Sequence, residues 1–446
     1  MRILLFLSLF LSLCASGMAQ KKLSLSEAIR IGLRNNFQIQ IAERERDIAQ
    51  NDNTFKNTSR YPRIDFNFYL QNNVNRQTPV VSFLQESFTS TNNVPIASID
   101  LDYTLMDGHR ARIDKSRYEE LLEQSEGTIA LRIEAAIYSI IRSYYQGLLE
   151  KEQLRVFQEV LNLSRDRVAF QKIRKEYGQA SDFDILQAQD AYLNDSTNYI
   201  LQSNTYDNAL RNLKLAIGEK DINKVYELSD PLKYQAKNYQ YTDLKRKMQS
   251  SNKELLNLQT ARNISRIEKE YQESFRRPTL NLSSGIAQRF DLSYSNAINP
   301  FDDNGDIYGF ASGNNTNFYL NFTFNYPLFD AGVARRRIEN AQIGETIAEL
   351  NINELQRNLN TQLKNTLETY NNRRKLVKIT EDLIENARQN LQIAEERFRA
   401  GQINNFDFRT IQLSFINASQ TKLSAIYNVL ITETELVRLI GGLVRN

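Results

Sequence analysis

At 446 residues the chain is long enough for two or three ordinary domains, and 56 Lys+Arg against 53 Asp+Glu leave no basic field for nucleic-acid binding. A hydrophobic fraction of 41% and a mean hydropathy of −0.52 are low for one large closed core, so the patterned segments must meet water on more than one side. Seven prolines and sixteen glycines favour long uninterrupted elements over a loop-rich globule.

Met1 to Gln20 (MRILLFLSLFLSLCASGMAQ) carries one positive charge, an apolar run from Ile3 to Leu13, and small residues at Gly17 and Ala19. This predicts a secretory signal over residues 1–19, cut after Ala19. The run is too short for a retained anchor helix. Bulky Leu13 in front of Cys14 argues against lipidation. Cys14 is the single cysteine, so the mature chain has no disulfide, thiolate nucleophile or cysteine metal site. No other apolar run reaches about 18 residues, so any membrane crossing must use strands.

The first structural repeat is expected over residues 20–218. Ser24 to Lys56 is predicted as one helix, capped at Ser24 or Ser26, with Leu25, Ala28, Ile29, Leu33, Phe37 and Ile41 on its apolar face. Tyr61-Pro62 stops it. Ile64, Phe66, Phe68 and Leu70 then alternate with polar neighbours, which predicts a strand over 63–73. Asn72 to Ala97, with Pro79 and Pro95, is expected to be a long loop, and alternation at Ile99, Leu101, Tyr103 and Leu105 gives a second strand over 97–106. Asp107-Gly108 ends it. From His109 to about Arg174 the pattern is helical without proline; at 1.5 Å per residue the helix would be roughly 100 Å long. Gly178 turns the chain, and a helix from about Phe183 to Ile217 returns. Residues 219–241 are expected to be a linker or accessory segment.

The second repeat, 242–446, restates this order. Asp243 to Phe275 matches the first helix. Strands are expected over 279–288 and 317–327, separated by a loop with Pro300, Asp302, Asp303 and Asp306. The second long helix, Val333 to Phe398, turns at Gly401. The two turns are nearly the same text, RKEYGQASDFDILQAQDAY (174–192) and RFRAGQINNFDFRTIQLSF (397–415). One offset of 223 carries Gly178 onto Gly401, Gln179 onto Gln402, Asp184 onto Asp407 and Gln189 onto Gln412. A glycine followed by small polar residues between two long proline-free segments is the pattern of a helical hairpin tip. On the second long helix Leu355, Leu359, Leu363, Leu367 and Tyr370, and again Leu383, Ala387, Leu391, Ala394 and Phe398, recur about every 3.75 residues. That spacing predicts straight packing rather than a left-handed coiled coil.

Four strands with one apolar and one polar face suit a barrel wall; alternation alone favours a half-buried soluble sheet, and the secretory signal and long helices shift the balance to the barrel. An open sheet cannot sit in hydrocarbon. Two chains would give a barrel with almost no lumen, whereas three would enclose a channel.

Leu105-Met106-Asp107-Gly108, Pro327-Leu328-Phe329-Asp330-Ala331-Gly332, the paired tips and the duplication resemble the TolC family of outer-membrane efflux ducts. The resemblance covers the whole mature chain. It implies a mainly α fold with a transmembrane β-barrel: a homotrimer with a twelve-stranded barrel and a long α-helical periplasmic tunnel. It further implies a Gram-negative outer membrane, with most of the chain in the periplasm. The function implied is the exit duct of a tripartite efflux or type I secretion system. Its expected partners are a periplasmic adaptor (membrane fusion) protein, an inner-membrane efflux pump or ABC transporter, and outer-membrane lipid.

Carried onto this sequence, Gly178 and Gly401 would be the tip turns that dock the adaptor, and Asp184 and Asp407 would lie at the constriction. An Asp N-cap of each returning helix is the plainer reading of those two aspartates. Phe398, Ile403 and Thr410 stand where the family often has an aromatic hydroxyl, a basic residue and a second acid, so the polar latch of some members is not preserved. Arg110, Arg112, Arg335, Arg336 and Arg337 follow the strands and would face anionic headgroups at the periplasmic membrane edge; a solvated helix start is the rival.

No catalytic site, metal or cofactor is expected. The sole histidine, His109, sits at a strand-to-helix junction as a surface residue. The alternatives to a conduit are a structural or adhesive envelope protein and a stand-alone porin, the latter disfavoured by the long helices.

Overall fold

The computed structural model describes residues 21–78, 87–298 and 307–444. The expected signal peptide, Pro79, and the loop residues Pro300, Asp302, Asp303 and Asp306 lie outside the described residues. In chain order come β1 (Lys21–Leu23), α1 (Leu25–Asn35), α2 (Phe37–Asp52), β2 (Arg63–Gln77), β3 (Phe88–Met106), α3 (Arg110–Glu176) and α4 (Asp182–Ala216). After β4 (Tyr226–Leu228) follow α5 (Tyr241–Ser251), α6 (Lys253–Ser274), β5 (Thr279–Ile298), β6 (Ile307–Asn325), α7 (Val333–Arg399) and α8 (Asn405–Leu439).

The duplication holds at the level of single elements. Both α3 and α7 have 67 residues, both α4 and α8 have 35, and both α1 and α5 have 11. Each pair of long helices starts 223 residues apart, and α1 and α5 start 216 apart.

The helix expected from Ser24 to Lys56 is two helices. Asn36 interrupts it, and its Oδ1 accepts from the Gln38 and Ile39 amides at 2.9 and 3.2 Å. Asn252, 216 residues later, does the same for Leu255 at 2.9 Å. Asparagine's short side chain satisfies the first amides of a new helix, so each becomes an N-cap inside an apolar pattern that continues across it. The presumed linker 219–241 also contains structure: β4 pairs in parallel with β1, Lys21 opposite Tyr226. The Tyr144 hydroxyl donates to the Leu23 carbonyl at 2.9 Å and lies 2.8 Å from an Asp230 carboxylate oxygen, tying this segment to α3.

The chain divides into two compact units. Residues 46–124 and 260–350 hold a four-stranded antiparallel sheet in the order β2-β3-β5-β6. All four strands run far beyond the expected ranges, 15, 19, 20 and 19 residues long. The segments 74–77 and 88–96, expected as loop, are ladder-paired as Val74 with Thr91 and Leu70 with Pro95. Their Asn, Ser and Thr residues carry no apolar alternation, so backbone pairing decides there. Pro95, which has no amide hydrogen, sits where the β3–β5 ladder lapses between Asn93 and Ile96.

Register places Phe66, Ile99, Ile286 and Phe318 in one row across the sheet. These side chains are open to the surroundings, Phe66 at 71% and Phe318 at 75%. The opposite face carries Asp65, Asp100 and Tyr319, with the Tyr319 hydroxyl donating to Asp100 at 2.5 Å. An apolar face exposed over this width is unusual for a soluble sheet and ordinary for a barrel wall. Among the described residues no helix is long and apolar enough to cross a membrane.

The other unit, described residues 21–45 with 125–259 and 351–444, is a helical bundle with two buried clusters. On α7 the buried positions Leu363, Tyr370, Val377, Ile384, Leu391 and Phe398 recur every seven residues, interleaved with Leu367, Thr380, Ala387 and Ala394. This heptad spacing corrects the expected 3.75. Ile384 faces the core while Leu383 is exposed, and Val377 and Thr380 carry the stripe across a gap that apolar residue types alone had left open. A repeat of 3.5 suits left-handed coiled-coil packing.

Hairpin tips, junctions and family

Each hairpin tip is built by the same backbone hydrogen bonds. At the first, Gly178 N donates to Lys175 O at 2.9 Å and Gln179 N to Arg174 O at 2.8 Å. At the second, Gly401 N donates to Phe398 O at 3.0 Å and Gln402 N to Arg397 O at 2.8 Å. Both glycines are left-handed, φ +69° and +72°, which closes the last carbonyls of the incoming helix.

The returning helices are not capped by the aspartates. Ser181 caps α4 and Asn404 caps α8, each accepting from the amide three residues on, at 3.3 and 2.9 Å. Asp184 and Asp407 are those third residues, so the Asp N-cap expectation was three positions off. The two carboxylates then part company. Asp184 accepts from the Ser181 amide at 2.9 Å and hydroxyl at 2.7 Å, and these bonds hold its carboxyl below the usual range. Asp407 is exposed.

Asn405, beside the second cap, is buried and ties the two hairpins together. Its amide nitrogen donates to Asp184 O at 3.2 Å, and its Oδ1 accepts from Gln171 at 3.0 Å. Deeper in the bundle Arg409 grips Asp195 with two bonds of 2.7 and 2.8 Å, and Gln412 donates to Ser164 at 3.0 Å. Phe398 packs against Phe408 and Phe170, at ring separations of 5.1 and 5.9 Å. Ile403 lies against the same cluster, and the Thr410 hydroxyl bonds its own helix at Phe406 O. The polar links between hairpins therefore use Asn405, Arg409 and Asp195 instead of the three positions read from the family pattern.

Sequence reasoning missed these residues. Shifted by 223, Asp195 falls on Ala418, Ser164 on Ala387, and Arg409 back onto Leu186. A polar residue whose repeat partner is a buried alanine was the available signal.

At the strand-to-helix junctions Asp107 and Asp330, again 223 apart, accept from the amides of Ala111 at 2.6 Å and Ala334 at 2.7 Å. Burial works against the Asp107 charge, but Ser59 and the Ala111 amide outweigh it and lower the pKa. Ionised carboxylates here start both long helices, where the helix dipole also favours them. Arg110 and Arg337 both stand over the Phe275 ring, at 5.0 and 5.8 Å. Arg112 and Arg336 are exposed, and Arg335 pairs with Glu339 at 3.0 Å. His109 is exposed with φ +76°.

The sequence profile of the outer membrane efflux protein family matches residues 28–219 and 244–442, one segment per repeat. This chain belongs to that family. Solved structures agree in fold. CusC superposes with a TM-score of 0.73 at 14% identity, covering 96% of this chain and 94% of its own. The outer membrane protein VceC of Vibrio cholerae gives 0.70 at 13%, covering 94% and 96%. The CmeC outer membrane channel of Campylobacter jejuni gives 0.72 at 13%, covering 94% and 85%. No curated protein gives a significant sequence match. An outer membrane efflux protein is a channel of the outer membrane, and the apolar row on the four-stranded sheet is the lipid-facing feature such a location requires.

Proposed function

We propose that three copies of this efflux protein close one barrel and form a passive exit duct, gated at its hairpin tips. A periplasmic adaptor and an inner-membrane pump or ABC transporter would deliver small molecules or polypeptides to it. The observation that carries the reading is the sheet order β2-β3-β5-β6, in which β2 and β6 each pair on one side only among the described residues. Hydrocarbon does not tolerate such edges, so β6 of one chain must meet β2 of the next.

In this reading Gly178 and Gly401 mark the turns that the adaptor engages, with Asp184 and Asp407 near the constriction. Exposed Asp407 is the stronger candidate for a ring of charge, because the Asp184 carboxylate already accepts from the Ser181 amide and hydroxyl and, at 3.4 Å, from Asn405 Nδ2. Arg112 is exposed and would meet anionic headgroups at the membrane edge most directly, whereas Arg335 is paired with Glu339, Arg336 donates to the Ala331 carbonyl at 3.1 Å, and Arg110 and Arg337 are partly engaged by Phe275.

Single-channel recording of the purified protein in a planar bilayer tests this, with its mass measured in the same detergent. A three-chain mass, a small stable cation-preferring conductance, and a change in that preference in Asp407→Ala are expected. A monomeric or dimeric mass, or a large always-open conductance, would sink the gated three-chain duct. Unaltered conductance and selectivity in Asp407→Ala would remove Asp407 from the constriction.

A further inference from the structure

Next to the Arg409–Asp195 pair lies a second cation, and this one is buried. Arg167 of α3 is only 4% exposed, yet its Nε and Nη1 have no hydrogen-bond partner. Its guanidinium stands 5.4 Å from the centre of the Phe408 ring. Asp195, 1% exposed, is fully used: one oxygen takes Arg409 at 2.8 Å, the other takes Arg409 at 2.7 Å and Ser164 at 2.5 Å. Buried Arg167 and the partly exposed Arg409 thus stand near one buried carboxylate that is hydrogen-bonded to Arg409 and not to Arg167, an excess of one positive charge. Burial, then the repulsion of Arg409, lowers the Arg167 pKa to about 10. The group remains charged at neutral pH without a counter-ion. Leaving a buried charge unpaired is among the costlier arrangements in a protein.

Arg167 also lines a cavity of about 280 Å³. Phe170, Ile173, Phe398 and Phe408 form its apolar walls. At its mouth Arg399 holds Glu395 at 2.5 Å, and Asp166 is exposed at the rim. A cavity whose lining combines a buried cation with aromatic rings suits a ligand with one anionic group on a compact apolar body.

We propose that this cavity is a binding site for an amphipathic organic anion, an aromatic or branched aliphatic carboxylate whose charge pairs with Arg167. The apolar body packs among Phe170, Phe398 and Phe408. All the lining residues come from α3, α7 and α8 of a single chain. Occupancy would supply the charge that Asp195 cannot and would add contacts across both hairpins.

The chain contains no tryptophan, so a naphthyl probe can be followed by fluorescence without indole emission. The full-length protein in neutral-lipid nanodiscs is titrated with 1-naphthoate and with its neutral isostere 1-naphthamide, using empty nanodiscs as the blank. Saturable naphthoate binding is expected, with the amide at least about tenfold weaker. Arg167→Gln should weaken naphthoate binding by about tenfold or more, and Arg167→Lys should restore part of it. Absence of saturable naphthoate binding overturns the proposal. So does equal affinity for the acid and the amide, a comparison that uses only the unaltered protein and survives any failure of the variants to assemble. Equal naphthoate affinity in a folded Arg167→Gln overturns it as well.

Discussion

Arg409 and Asp195 form a two-pronged ion pair, 2.7 and 2.8 Å, that joins α8 to α4 and so one hairpin to the other. Arg409 is 20% and Asp195 2% exposed at the side chain, so water screens the pair little. Asp195→Ala would leave Arg167 and Arg409 facing each other without a counter-charge. A loss of about 3–5 kcal/mol is expected, the usual cost of breaking a buried pair from one side. Thermal melting monitored by circular dichroism checks it. Replacing both partners, Asp195→Leu with Arg409→Met, should recover much of the loss. A melting temperature unchanged in Asp195→Ala would show that the pair holds nothing.

Glu134 of α3 predicts a pH dependence. It is buried and its Oε1 has no hydrogen-bond partner. Burial raises its pKa, only partly offset by Arg438 and Lys253. The folded chain therefore holds this proton more tightly than the unfolded one. Its favourable contribution is complete below the unfolded value, about 4.3, and is lost as pH rises through the higher folded value. Glu134→Gln should accordingly raise the melting temperature at pH 7, by an amount worth roughly 1 kcal/mol, and the gain should shrink as the buffer approaches pH 4. A gain of equal size at both pH values would refute the charge as its cause.

Two left-handed glycines should respond very differently to alanine. A Cβ on Gly178 would meet nothing within 4 Å, so Gly178→Ala costs only the backbone strain, about 1 kcal/mol. A Cβ on Gly441 would lie 2.0 Å from the Ser251 carbonyl oxygen, a backbone atom that cannot turn aside. Gly441→Ala should lose more than about 2 kcal/mol and shorten the protease-resistant lifetime of the bundle. Equal melting temperatures for the two variants would contradict this packing.

In the sheet, Gly285 lies between Ile99 and Tyr319. A Cβ there would come 2.5 Å from the Ile99 carbonyl oxygen and 2.7 Å from the Tyr319 hydroxyl. Gly285→Val should prevent β5 from joining its neighbours and abolish the proposed three-chain oligomer on a mildly denaturing gel. Normal oligomer yield would show that the strands can part to admit the side chain.

Much of this was legible because the chain states its design twice. Gly178 and Gly401, with their polar followers, announced the tips, and Asp107 and Asp330 announced the junctions. Legibility failed where one residue overruled a pattern. Asn36 and Asn252 split helices whose apolar face runs straight through them. The outer strand segments carry Asn, Ser and Thr on both faces, so nothing in their hydrophobicity betrayed the ladder pairing of Val74 with Thr91. The buried polar cluster was invisible for the opposite reason. Arg167, Asp195 and Arg409 come from distant points of the chain and lack repeat partners of like chemistry. Only the packing of α3, α4 and α8 brings them together.

The sheet with two one-sided edges also has a genetic consequence. If each chain contributes a third of one closed wall, no chain has a complete wall of its own to fall back on. A defect at β2 or β6 would therefore damage rings in which the other chains are sound. Such alleles should act dominantly when expressed beside the normal gene, whereas alleles that keep the chain from folding at all should be recessive, because their products never enter a ring.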